Sequence, residues 1–226
     1  MYSLDLSSNH GSPLRILCLG AHSDDIEIGC GGTILSLLQR YPNGVLYWAV
    51  FSAIGNRAEE AKRAASLFAG TACLKELRLK SFRDGFMPFD GAEVKMAMEE
   101  LKEASPDVVF THNRWDAHQD HRFLAELTWN TFRDHLILEY EIPKYDGDLG
   151  QPSIFVPLEI ETCNRKVSYI METFQSQCNK KWFCAETLLA LMRLRGMECN
   201  SPSGYAEAFY GRKLMLRTGS ADPGSE

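Results

Sequence analysis

"LRILCLGAHSDDIEIGCGG", Leu14 to Gly32, is the stretch from which the fold is read. Its first half is a short apolar run closed by glycine, the pattern of a strand buried on both faces. Its second half is glycine-rich and opens a helical pattern. At the junction stand His22, Asp24 and Asp25, three ionisable side chains within four positions. Burying them is costly unless they are paired, hydrogen-bonded or bound to a metal. The stretch therefore predicts a strand, a turn carrying chemistry, and a helix.

The same rhythm continues along the chain. "VLYWAVFS" (45–52) and "DVVFTH" (107–112) are further apolar runs, and "CLKELRL" (73–79) alternates as a strand does. Between them Ala61, Ala64, Ala65 and Phe68, and then Val94, Ala97, Met98 and Leu101, recur at helical spacing, backed by charged residues. Strand and helix in alternation build a parallel sheet covered on both faces, an α/β fold. After residue 136 the rhythm changes. "LILEYEIP" (136–143) and "SIFVPLEI" (153–160) read as strands around the polar loop 144–152, too long for a tight hairpin. Val167, Ile170, Met171 and Phe174 mark one helix, and Trp182 to Met197 another. A last strand within "AEAFYGRKLML" (206–216) is expected to close the sheet edge.

At 226 residues the chain suits one domain spanning 1–226, with polar, loosely held ends at 1–12 and 218–226. Hydrophobic residues at 45% and charged residues at 24% exclude extensive disorder. A net charge of -6 with scattered basic residues argues against nucleic acid or an anionic membrane as partner. The seven cysteines form no CxxC pair, and their odd number fits a reducing cytoplasm better than a disulfide framework. No signal-peptide pattern and no spanning apolar stretch is visible. The sequence leaves the number of subunits open, a homo-oligomer included.

Four of the six histidines fall in two segments, His22 in the first and His112, His118 and His121 in "HNRWDAHQDH". Imidazole and carboxylate together suit a borderline divalent metal such as zinc, and three protein ligands leave a position open for water. Both segments follow predicted strands, and in parallel α/β sheets ligand sites gather beyond the C-terminal strand ends. Asp116 and Gln119 match a capping-box spacing, so Asp116 reads as a helix cap with His118 and His121 on one face of the first turn. For any one histidine alone a hydrogen-bonded structural role is the stronger reading. The joint pattern, HxDD and then HxxxDxHxDH, carries the metal site. The glycines at 29, 31 and 32 serve close helix packing, since GxGxxG is not present, and Cys30 reads as a small buried filler.

These segments resemble the AHPDD motif, in its AHPDDIEIGCGG form, and the HPDH motif of the LmbE-like, or PIG-L, family of metal-dependent N-deacetylases. That family includes the deacetylases acting on N-acetylglucosaminyl-phosphatidylinositol and in mycothiol and bacillithiol biosynthesis. The resemblance covers residues 14–135, and "GYAEAFYGRKL" is similar to the family's C-terminal segment. Ser23 replaces the usual proline, which removes a lock on φ but no ligand.

The resemblance implies a Rossmann-like three-layer α/β/α sandwich with a mostly parallel sheet. It implies His22, Asp25 and His121 as metal ligands, for Zn2+ or alternatively Fe2+ or another divalent ion, and Asp24 as general base. It makes His118 the residue facing the oxyanion and Asp120 the partner that orients the motif's histidine, while His112 lies outside the matching positions and reads as structural. Arg57, Arg83 and Asp84 stand where the family binds sugar; an ion pair is the competing reading for Arg57, and a turn with Gly85 for Asp84. The implied reaction is removal of an N-acetyl group from an N-acetylated amino sugar, an N-acetylglucosamine conjugate. The rivals are a metal-dependent esterase or phosphoesterase and a non-catalytic Rossmann-type binding module.

Overall fold

Strands covered on both sides must be apolar at nearly every position. The computed structural model describes residues 1–6 and 12–215. Its strands are β1 (Arg15–His22), β2 (Val45–Ser52), β3 (Leu74–Leu79), β4 (Val108–His112), β5 (Leu136–Tyr140), β6 (Ile154–Pro157) and β7 (Ala206–Gly211). They form one seven-stranded sheet in the order β3-β2-β1-β4-β5-β7-β6. β1 to β5 are mutually parallel, and β7 is antiparallel to both neighbours. Among the described residues six α-helices cover the faces: α1 (Asp25–Arg40), α2 (Asn56–Cys73), α3 (Gly91–Glu100), α4 (Gln119–Thr131), α5 (Ile160–Thr173) and α6 (Ala185–Glu198).

Successive strand residues point to opposite faces, and the core divides accordingly. Ile16, Cys18, Trp48 and Val50 pack with Ile26, Phe68, Ile170 and Leu188 of α1, α2, α5 and α6. Leu17, Leu19, Tyr47 and Phe51 pack with Val94, Met98, Leu124 and Trp129 of α3 and α4. Each fully buried Leu or Phe contributes about 1.5–3 kcal/mol over leaving it in water. This is the expected three-layer α/β/α sandwich. Gly29 brings α1 against the sheet, because a Cβ there would stand inside the Tyr140 ring. Tyr140 in turn donates its hydroxyl to the Leu19 carbonyl at 2.6 Å.

The far edge of the sheet departs from expectation. β7 does not close the edge; it lies between β5 and β6, which do not pair with each other. β6 is the edge strand, four residues ending at Pro157 and partly exposed, and a proline is tolerated where no neighbour needs its N–H. β7 begins with four buried residues, as an interior strand must. The expected loose end at 218–226, and part of that at 1–12, lie outside the described residues. No helix among the described residues is long and apolar enough to cross a membrane.

From β1 the chain passes to β2 and β3 on one side and then returns to β4 on the other. Strand order reverses at β1/β4, and the loops beyond those strand ends diverge to leave a crevice. His22 ends β1 and His112 ends β4. The two histidine-bearing segments therefore meet at the switch point.

Candidate active site

Asp25 is the first residue of α1, and its carboxylate turns back to accept the His22 N–H at 2.6 Å. His118 caps α4 by accepting the Asp120 N–H on Nδ1 at 3.2 Å, which brings His121 into the first turn. Three donor atoms converge: His22 Nδ1 and His121 Nε2 are 3.1 Å apart, and Asp25 Oδ2 is 3.4 Å from the first and 3.6 Å from the second. Three ligands of a tetrahedral zinc ion, each about 2.0–2.1 Å from it, stand about 3.3 Å from one another. The donors fit such an ion.

The other nitrogen of each ring is held by carboxylate, an arrangement that fixes a ligand's tautomer and orientation. His121 Nδ1 meets Asp116 Oδ2 at 3.0 Å. His22 Nε2 lies 3.0 Å from Asp84 Oδ1 and 3.3 Å from Asp120 Oδ2. Burial opposes a charge on Asp25, but His121, His112 and His22 outweigh it and lower its pKa well below the ordinary value. Burial likewise opposes a charge on His22, yet Asp25, Asp120 and Asp84 raise its pKa well above 6.5. For His121 burial and the neighbouring His112 prevail and lower the pKa. A cation at the three donors would take over the charge balance that protons supply here.

Asp24 points away from this triangle. It is buried and does not cap α1; its Oδ1 accepts from Arg57 Nη2 at 2.5 Å. Arg57 is thus in an ion pair and also lines the cleft. Asp84 lines the cleft as well. Arg83 does not: its guanidinium lies 3.6 Å from the centre of the Phe86 ring and is spent on that stacking. Asp120 differs from its expected role too. Its carboxylate takes the Gly85 and Met87 N–H groups at 2.7 and 3.2 Å and faces His22, not the ring of His118. The loop that follows β3 supplies those two amides, and this draws the carboxylate across the crevice. With Nδ1 accepting, a neutral His118 carries its proton on Nε2, and burial followed by His121 and His22 lowers its pKa.

Four further residues take part; the sequence reads Asp116 as a helix cap and His112 as structural, and gives Lys144 and Glu27 no role. Asp116 is no helix cap: its Oδ1 accepts the His118 N–H at 2.8 Å while Oδ2 holds His121. Lys144 Nζ lies 2.9 Å from the same oxygen. His112 stacks on His121 with centroids 3.9 Å apart and takes the Ala21 N–H on Nε2 at 3.0 Å, in keeping with a structural role. Glu27 is fully buried behind the site with neither oxygen hydrogen-bonded, and burial, then Asp24 and Asp25, raise its pKa well above 4.5. A glutamate between Ile26 and Ile28 on a glycine-rich helix was the available signal for it.

The cleft over these groups has a volume of about 260 Å³, with Ile142, Lys144, Tyr145, Asp146, Lys180 and Trp182 forming its lip. Its floor holds His22, Asp25 and His121, the Asp24 carboxylate beside them and the His118 imidazole.

A family model described as PIG-L, GlcNAc-PI de-N-acetylase, matches residues 17–132, just over half of the chain and all of the donor segments. YaiS of Escherichia coli strain K12, an uncharacterized deacetylase, is 31% identical over 143 residues, covering 57% of this chain and 74% of that protein. The N,N'-diacetylchitobiose deacetylase of Pyrococcus horikoshii shares the fold at a TM-score of 0.69, with 20% identity over 87% of this chain and 83% of its own. GalB of Pseudomonas putida KT2440, a 4-carboxy-2-hydroxymuconate hydratase, shares it equally at 0.69, with 15% identity over 92% of this chain and 100% of its own. The fold by itself therefore admits more than one chemistry. The family model spans the segments that carry His22, Asp25 and His121, and by it the chain belongs to the PIG-L family of deacetylases.

Proposed function

We propose that this protein is a zinc-dependent N-deacetylase acting on an N-acetylated amino sugar, an N-acetylglucosamine conjugate. One observation carries the reading: three donors at zinc spacing, each ring backed by carboxylate, beside a further carboxylate, Asp24, that stays out of the triangle. His22, Asp25 and His121 would hold the ion, with Fe2+ or another divalent metal as the alternative. When bound, it supplies Lewis acidity toward the amide carbonyl and toward water.

The chain's own residues supply the rest. Asp24 accepts the proton of the attacking water, and Arg57 keeps that carboxylate in one orientation. His118, proton on Nε2, faces the developing oxyanion, where a preorganised donor counts most. Asp120 holds the His22 ring, and Glu27 and His112 pack behind the donors. The amine leaves with the proton that Asp24 took from the water. Asp84 and Arg57 are the sugar-side groups of the cleft. Tyr145, Lys180 and Trp182 on the lip meet whatever is joined to the sugar. Arg83, stacked on Phe86, has no part in this reading.

The test is product analysis. Zinc-loaded protein is incubated with a panel of N-acetylglucosamine conjugates, with acetate esters and with phosphoesters, and free amine, acetate and phosphate are measured. Amine and acetate released together from an N-acetyl sugar support the proposal. Phosphate release, ester cleavage without amide cleavage, or no turnover with zinc bound would replace it with a rival reading.

A further inference from the structure

Lys144 begins the polar loop after β5 and is a cation with little access to water, its side chain 10% exposed. Its ammonium lies 2.9 Å from Asp116 Oδ2 and 2.5 Å from Asp148 Oδ2. Both carboxylates are themselves largely buried, at 3% and 13%. Gly147 adopts φ +63, the left-handed conformation that suits glycine, and this turn sets residues 144 and 148 face to face.

Apart from a hydrogen bond of 3.4 Å from Lys144 Nζ to the Ile142 carbonyl, the contacts beyond this pair lead to the entry of α4. Asp148 Oδ2 accepts the Ala117 N–H at 2.6 Å. Asp116 divides its oxygens, Oδ1 to the His118 N–H and Oδ2 to His121 Nδ1 as well as to Lys144. Among the described residues Lys144 is therefore the one group that touches both Asp116, the carboxylate behind His121, and Asp148, the carboxylate that pins Ala117. Without the ammonium, two buried carboxylates would face each other across the turn with no cation between them, which is strongly unfavourable. The cheapest relief is for Asp116 to rotate toward solvent, and His121 then loses the partner that aims its ring.

We propose that Lys144 is a positioning residue of the metal site, acting on His121 through Asp116. The proposal rests on the metal-site reading above and extends it to a residue outside both histidine-bearing segments. It makes the loop after β5 part of the site's frame as well as part of the lip.

The experiment uses the full chain, stripped of metal and reloaded. Zinc affinity is measured by competition with a chromophoric chelator, and the Co(II) form is followed by its visible absorption bands, which report ligand geometry. Lys144→Met is expected to bind zinc about 10- to 100-fold more weakly, the usual effect of losing an outer partner of a ligand, and to shift the Co(II) bands. Lys144→Arg keeps a cation between the carboxylates and should restore both readouts. In an Asp116→Asn background Lys144→Met should add less than about threefold, because the two act in one chain. Should Lys144→Met fail to fold, Lys144→Gln carries the same comparison. Wild-type affinity and spectrum in the Met or Gln variant, or the same loss with and without Asp116, would overturn the proposal and leave the metal site standing. A wild-type protein that takes up no zinc would overturn the metal-site reading itself.

Discussion

Replacing Asp84 by Ala separates recognition from chemistry. Its side chain is 74% exposed at the cleft, with Oδ1 3.0 Å from His22 Nε2. The hydrogen bond from His22 holds its carboxyl down at about 2, so it is ionised across the neutral range. Exposed ion pairs contribute about 0–1 kcal/mol, and His22 keeps Asp120 at 3.3 Å when Asp84 is gone. The variant should therefore lose less than about 1 kcal/mol, a fall in Tm of about 2–4 °C for a chain of this size. Because the folded pKa lies below the ordinary 3.8, that small contribution is present above 3.8 and disappears as pH falls toward about 2.

The effect on a sugar substrate should be larger. A charge-assisted hydrogen bond to a hydroxyl is worth about 1.5–3 kcal/mol, so losing one lowers kcat/KM about 10- to 150-fold. A small acetamide or acetate ester without the ring should change less than about threefold, since Asp24 is untouched and Asp120 still holds the His22 ring. The turn with Gly85 is present: Asp84 and Gly85 are its central residues, the Phe86 N–H closes it on the Arg83 carbonyl at 3.1 Å, and Gly85 has φ +78. The Asp84 carboxylate itself accepts no backbone N–H among the described residues, so the turn does not need that side chain. Steady-state kinetics on both substrates, with Tm and metal content measured on the same preparations, decide it. Equal losses on both substrates, or a large fall in Tm without selectivity, would refute sugar recognition by Asp84.

Asp24→Asn should keep its metal yet lose about 10²- to 10⁴-fold in turnover, the range for a missing general base. Asp25→Ala and His121→Ala should both fall well below one equivalent of bound metal by elemental analysis; equal metal content in all three variants would undo the division of roles. Lys166 offers a prediction about the scaffold: its Nζ lies 2.6 Å from Glu207 Oε1, both side chains 3% exposed, and Glu207 also takes the Gly32 and Thr33 N–H groups of α1. Lys166→Met leaves that carboxylate buried without a cation and should cost about 3–5 kcal/mol in urea unfolding. A loss under about 1 kcal/mol would mean that the two α1 amides suffice.

The parallel half of the sheet was legible because burial on both faces leaves a local mark, an apolar run with abrupt ends. β1, β2 and β4 begin and end within one residue of those runs, and the partly buried β3 within one residue of its alternating segment. The placing of β7 between β5 and β6 was not, since a strand's neighbours are chosen by tertiary packing and its own residues do not name them. The site divides along the same line. That His22, Asp25 and His121 would share a point followed from two short spacings and the rule that parallel strands present their C-terminal ends to one crevice. Which carboxylate serves which ring did not follow. Asp120 reaches His22 because amides of the loop after β3 draw it across the crevice, and Asp116 reaches His121 because His118, two residues later than expected, takes over the capping of α4. Lys144 enters from 23 positions beyond His121 along the chain, with no periodicity linking them. Local spacing can assemble ligands carried on the first turns of helices. The partners that orient those ligands come from whichever loops the sheet order sets beside them, and they become visible only when the strands are in place.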